Sequence, residues 1–179
     1  PHWFTPGLSQ YAGDPAALDR LVRRHHPVAY RVALGILREE DLAADATQEG
    51  VLKALRALPG FRGESRFRTW LVAIVANEAR GLLRRQGRRR ESALDEGPPL
   101  ASGARAVDEQ VVRDDEAKRA RRLLERLPEK QRMAVQLRID EGLSYREVGE
   151  VIGSSEGAAR VNFHHGIRRH REWMNEEQS

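Results

Sequence analysis

The sequence predicts an all-α protein of two small helical domains joined by a flexible linker, the second containing a helix-turn-helix. Three observations point there. Of the 179 residues, 32% are charged and only 6% aromatic, with Ala, Leu, Arg and Glu prominent, a mixture that favours helices with solvated faces over sheets. Apolar residues recur every three or four positions in both halves of the chain. Between the halves, Gly97, Pro98, Pro99, Ser102 and Gly103 interrupt any apolar period, as a linker does. The expected boundaries are 1–90 for the first domain, 91–112 for an acidic linker and 113–179 for the second domain.

Each element has its own signal. Asp14 before Pro15 reads as an N-cap with Pro at the first helical position. It opens a helix through Leu21, Val22, Val28 and Val32 to about Leu37, with a kink expected near His26 because Pro27 removes a backbone donor. Asp41 is expected to cap a second helix that ends at Leu58, before Pro59-Gly60. After a Gly-containing loop at 61–65, a third helix is expected from about Ser65 to Arg88. Its apolar face is Phe67, Leu71, Ile74, Val75, Ala79 and Leu82, and its opposite stripe is Arg66, Thr69, Ala73, Asn77, Arg80, Arg84 and Arg88. Trp70 borders both faces and reads as a core aromatic, with base stacking as the alternative. Helices resume over about 108–127, break at Pro128 and continue from Glu129 to Asp140.

The last segment carries a sharper pattern. Ser144 and Glu147 have the spacing of a capping box, the helix they open ends at Gly153, and Ser155 caps the next helix. Two short helices joined by a Gly-containing turn read as a helix-turn-helix, a motif whose second helix normally enters the DNA major groove, with a generic helical hairpin as the alternative. In that helix Ala159, Phe163, Ile167 and His170 share one face, and Arg160, His164 and Arg168 share another. Gly166 within it costs about 1 kcal/mol relative to Ala.

Charge is distributed unevenly. The formal total is +4, yet residues 61–90 hold nine Arg and no Lys against Glu64 and Glu78, a net +7, and residues 91–116 hold eight acids against two Arg, a net −6. An Arg-only basic block suits planar, bidentate contacts to phosphate.

Several classes of function are excluded. With no Cys, there are no disulfides, thiolate metal sites or thiol nucleophiles. The only His pairs, His25-His26 and His164-His165, are adjacent, and neighbours on a helix point about 100° apart, a poor chelating geometry. No phosphate-cradling glycine loop or nucleophile signature appears. No enzymatic activity, catalytic residue, metal or cofactor is therefore expected. No apolar run is long enough to span a bilayer, so membrane insertion is not expected and the protein is placed in the cytoplasm. The chain opens on Pro rather than Met, which reads as a processed or trimmed start.

Four segments, in order, resemble the bacterial extracytoplasmic-function (ECF) sigma factors of the sigma-70 family. They are Asp45-Ala-Thr-Gln48-Glu49, Phe61-Arg-Gly-Glu-Ser-Arg-Phe67-Arg-Thr-Trp70, Leu127-Pro-Glu-Lys-Gln-Arg132, and Leu143-Ser-Tyr-Arg-Glu-Val-Gly-Glu-Val-Ile-Gly153. The resemblance implies a two-domain specificity subunit that binds core RNA polymerase, through the clamp of its largest subunits, and directs it to promoter DNA to initiate transcription. It assigns Asp45, Gln48 and Glu49 to core-polymerase binding. It assigns Phe61, Arg62, Gly63, Ser65, Phe67, Asn77, Arg80, Arg84 and Arg85 to the minus-ten element. Ser155, Glu156, Arg160, His164, His165 and Arg168 fall to the minus-thirty-five element. It further implies an anti-sigma factor as partner and a linker that threads through the polymerase. Relatives usually carry Thr-Val where this chain has Ala158-Ala159, and Arg where it has Asn162 and His165. The alternative is an autonomous helix-turn-helix regulator, which would leave the Asp45 motif and the Arg66–Arg88 stripe without a purpose.

Overall fold

The computed structural model describes residues 14–93 and 114–177. Among the described residues, seven α-helices and one 3-10 turn make up the regular structure, and there is no strand. The chain divides into two compact units, 1–104 and 105–179.

In the first unit α1 (Pro15–Leu37), α2 (Glu40–Ala57) and α3 (Phe67–Ala93) pack pairwise into a three-helix core. The Asp14 carboxylate accepts from the amides of Ala16 and Ala17 at 3.0 and 3.2 Å, so two of the orphan donors of α1 are satisfied. Pro27 leaves α1 unbroken. Val28, Ala29, Val32, Ala33, Ile36 and Leu37, which follow it, are all buried, and this packing holds the helix through a residue that would end an isolated one. α1 closes on Arg38 in the left-handed conformation, φ 56°.

The start of α2 differs from expectation. Glu39 is its N-cap, without a side-chain cap bond, and Asp41 lies within the first turn. The tight αL closure at Arg38 leaves so short a connection that α2 begins before Asp41. Glu40 and Asp41 there complement the positive end of the helix dipole. Gly50 meets α3: a Cβ on it would lie 2.9 Å from Val75 Cα, so the two backbones touch where only glycine fits. Leu58–Gly60 forms the 3-10 turn that ends this segment.

α3 starts two residues later and runs five residues further than its pattern suggested, to Ala93. Its buried face is also displaced from the expected one, since Ile74 and Leu82 are only half-buried. Val72 and Ala76 are buried beside Leu71, Val75 and Ala79, and Thr69, expected on the exposed stripe, is fully buried. The reason is that α3 packs on both α1 and α2, so two adjacent sides of the helix are covered.

The second unit holds α4 (Asp114–Glu125), α5 (Glu129–Ile139), α6 (Tyr145–Ile152) and α7 (Glu156–Glu176). α4, α5 and α6 all pack on α7, around Leu123, Leu127, Met133, Leu137, Leu143, Val148, Ile152 and Ala159. The expected capping box is present. Ser144 Oγ accepts from the Glu147 amide at 3.2 Å, and the Glu147 carboxylate accepts from the Ser144 amide at 2.8 Å. α6 ends at Gly153, φ 64°, and Ser155 Oγ accepts from the Ala158 amide at 3.2 Å to cap α7. Gly166 is buried, and a Cβ there would lie 2.8 Å from Val135 Cγ2 and 3.1 Å from the Gln131 carbonyl oxygen. Its local cost is thus the condition for α5 and α7 to pack closely. The end of α7 is tied to α4 by Arg119, which reaches the Glu177 carboxylate at 2.9 Å and the Met174 carbonyl at 3.0 Å. The linker expected at 91–112 overlaps α3 as far as Ala93, and the rest of it, like the helical start expected at 108–113, lies outside the described residues.

Candidate nucleic-acid interface

The first unit presents a cationic ridge and an aromatic corner. Along α3, Asn77, Arg84, Arg85 and Arg88 are exposed and Arg80 is half-buried. A Cβ on Gly81 would lie 3.3 Å from Arg85 Nη1 and 3.9 Å from Arg84 Nη2, so these two guanidinium groups gather over a side-chain-free turn. At the start of α3 the loop 61–66 folds its aromatic residue onto the helix. Phe61 and Trp70 have ring centroids 4.7 Å apart, and Phe67 lies 6.3 Å from Phe61 and 5.8 Å from Trp70. Phe67 itself is buried, which makes it the floor of the corner. Phe61, Ser65 and Trp70 are half-buried, while Arg62 and Gly63 are exposed, with Gly63 at φ 71°. Half-buried aromatic faces beside guanidinium groups are what single-stranded nucleic acid needs for stacking and backbone contact.

One residue of this corner was missed from the sequence. His25 on α1 sets its ring 5.9 Å from Phe67. Burial, and then the positive charges of Arg24 and Arg68, hold its imidazole below the ordinary value of 6.5, favouring the neutral form. A periodicity argument cannot find a contact spanning two helices. The only available signal was His25-His26 at the edge of the apolar face of α1.

Asp45, Gln48 and Glu49 are all exposed on α2, and their three- and four-residue spacing puts them on one side. Glu49 faces Arg56 at 3.9 Å. Gln48 borders an apolar groove between α1 and α2, lined by Pro27, Tyr30, Val51 and Leu52 among others.

In the second unit the helix-turn-helix of α6 and α7 exposes Glu156, Arg160, His164, His165 and Arg168, with Ser155 at the cap. Arg160 is braced from two sides: it pairs with Glu156 at 3.4 Å and lies 5.1 Å over the Tyr145 ring. His164 is edge-on to Phe163 at 5.3 Å and tilted toward Tyr145 at 6.3 Å. Arg168 lies 4.0 Å from Glu172. Asn162 turns inward, its amide donating to the Ala158 carbonyl at 2.8 Å, so its side chain serves its own helix. Among the described residues no group of three or more His, Asp or Glu is placed to hold a metal, and no helix is long and apolar enough to cross a membrane.

The two units correspond to two described sequence families. Residues 21–89 match sigma-70 region 2, and residues 117–169 match sigma-70 region 4. Over 157 residues the chain is 37% identical to the ECF RNA polymerase sigma-E factor of Escherichia coli K12, covering 83% of this chain and 81% of that one. It is 31% identical over 156 residues to the RNA polymerase sigma-H factor of Pseudomonas aeruginosa, again 83% and 81%. Among solved structures, the fold resembles the sigma factor RpoE crystallised with the anti-sigma factor NepR from Bartonella quintana. There the TM-score is 0.69 at 20% identity, with 88% of this chain and 96% of that one covered. CnrH, solved with the cytosolic domain of CnrY, gives a TM-score of 0.65 at 24% identity, with 93% and 94% covered. At these identities the structural likeness concerns the fold.

Proposed function

Because the chain belongs to the extracytoplasmic-function group of the sigma-70 family, we propose that it binds core RNA polymerase, directs it to specific promoters and initiates transcription there. The observation that carries this reading is a pair of cationic, hydrogen-bonding helix faces, one on each unit: Asn77–Arg88 of α3 and Arg160–Arg168 of α7. An autonomous regulator would need only the second.

In this reading residues 1–90 open the minus-ten element, 91–112 link, and 113–179 read the minus-thirty-five element. Phe61, Arg62, Gly63 and Ser65 form the rim that receives an unstacked base, with Phe67 as its support. Asn77 reads a base edge while Arg80, Arg84 and Arg85 hold phosphates. Arg160, His164, His165 and Arg168 face the major groove, and Ser155 and Glu156 sit at the helix start, where base edges are met. Asp45, Gln48 and Glu49, beside the apolar groove, bind the polymerase clamp. An anti-sigma factor is a further partner in this reading, supported by the similar fold of RpoE, which was solved with the anti-sigma factor NepR. A protein of this role acts in the cytoplasm.

Run-off transcription with purified core polymerase and genomic promoter fragments tests the proposal. Specific transcripts are expected only when both proteins are present. Gln48→Ala with Glu49→Ala should weaken association with the polymerase while leaving the helical circular dichroism intact, since both residues are exposed. Tight promoter binding by the chain alone, unchanged by polymerase, would replace this reading with the autonomous regulator.

A further inference from the structure

The outward face of α7 is not uniformly polar. Val161 is 56% exposed, although the exposed cations Arg160 and Arg168 stand on the same side of the helix. At 100° per residue its direction falls within the arc set by Arg160, His164, His165 and Arg168, so it belongs to the face that would meet DNA. One turn before it stands Gly157, also exposed, where a Cβ would find nothing within 4 Å. Unlike Gly166, this glycine answers to no packing constraint, and it weakens the helix where it sits. Together the pair makes an apolar ledge with open space beside it, in the first two turns of the helix. The nearest side chains on this face lean elsewhere: Arg160, three residues on from Gly157, toward Glu156 and Tyr145, and His164, three on from Val161, toward Phe163 and Tyr145.

Resting on the minus-thirty-five reading above, we propose that Val161, with Gly157 beside it, reads the C5-methyl group of a thymine in the minus-thirty-five element. In the major groove that methyl is the one apolar feature among donors and acceptors, and apolar side chains are its match. Gly157 lets the backbone approach closely enough for the Val161 methyls to reach it. The flanking cations set the register of the helix on the duplex.

Holoenzyme assembled from the full chain and core polymerase is first used to select minus-thirty-five sequences from a randomised duplex. Each thymine of the selected element is then replaced in turn by deoxyuridine, which lacks only the methyl. For at least one thymine the wild type should lose affinity by about fourfold, the effect of leaving one methyl-sized group unburied. Val161→Ala should bind the thymine duplex about that much more weakly and lose its sensitivity to the replacement. Gly157→Ala should weaken the same duplex without loss of helicity. If the selected element is bound specifically but every deoxyuridine replacement affects wild type and Val161→Ala alike, the methyl reading is wrong and the minus-thirty-five reading stands. If holoenzyme selects no upstream sequence at all, both fall.

Discussion

His25 shows how one side chain links fold and interface. Its ring packs against Phe67, the floor of the aromatic corner, and its imidazole is held below the ordinary value first by burial and then by Arg24 and Arg68. The folded state therefore favours neutral His25, and on acidification the unfolded chain takes up the proton first. Stability from this group is complete above the ordinary value of 6.5 and is lost as pH falls through it toward the lower folded-state value. Urea denaturation of the full chain between about pH 5 and 8 should show this decline, and His25→Phe, which keeps a ring against Phe67, should flatten it. An unchanged profile in His25→Phe would mean that another group titrates. Asp41 and Thr69 teach the complementary lesson. Both residue types suit the roles expected of them, a helix cap and a polar stripe, but the closure of α1 and the covering of α3 from two sides gave them different positions.

At the scale of elements, glycines decide how closely helices meet. Gly166 looks like a defect when α7 is considered alone, because glycine lowers helix propensity by about 1 kcal/mol. In the packed unit an added Cβ would sit 2.8 Å from Val135 Cγ2 and 3.1 Å from a backbone oxygen of α5. Overpacking of this kind costs about 1–3 kcal/mol, which outweighs the propensity gain. Gly166→Ala is thus expected to lower the denaturation midpoint, whereas Gly157→Ala on the same helix, with open space around it, should leave it unchanged or raise it. Equal effects of the two would show that propensity, and not packing, governs both sites. By contrast, the helix-turn-helix was legible residue by residue. Its capping box, the Gly153 stop and the Ser155 cap are local devices whose partners lie within three or four residues.

For the whole molecule, the two cationic faces belong to separately packed units, so their contributions to promoter binding should add. Arg84 and Arg168 are exposed on α3 and α7 respectively. Removing either should reduce the slope of log affinity against log salt by about 1, and removing both by about 2. Holoenzyme binding to a promoter fragment, measured from about 50 to 200 mM salt, provides the check. A double variant no different from Arg84→Ala would remove Arg168 from the DNA contact. The small net charge of +4 conceals this arrangement, because an acidic block of −6 at 91–116 offsets the basic block of +7 at 61–90.

The sequence alone determined what depends on near neighbours: an all-helical chain, the cap at Asp14, the helix-turn-helix, the exposed spacing of Asp45, Gln48 and Glu49, and the Arg ridge of α3. Each follows from propensity, periodicity or capping within a turn or two of helix. Tertiary structure decided what depends on a second helix. It buried Thr69, Val72 and Ala76, carried α1 through Pro27, joined His25 to Phe67, and turned Gly50 and Gly166 from weak helix residues into contact points. Helical period identifies an apolar side of a helix, but which further sides are covered, and how closely, depends on neighbours that the chain brings together only by folding.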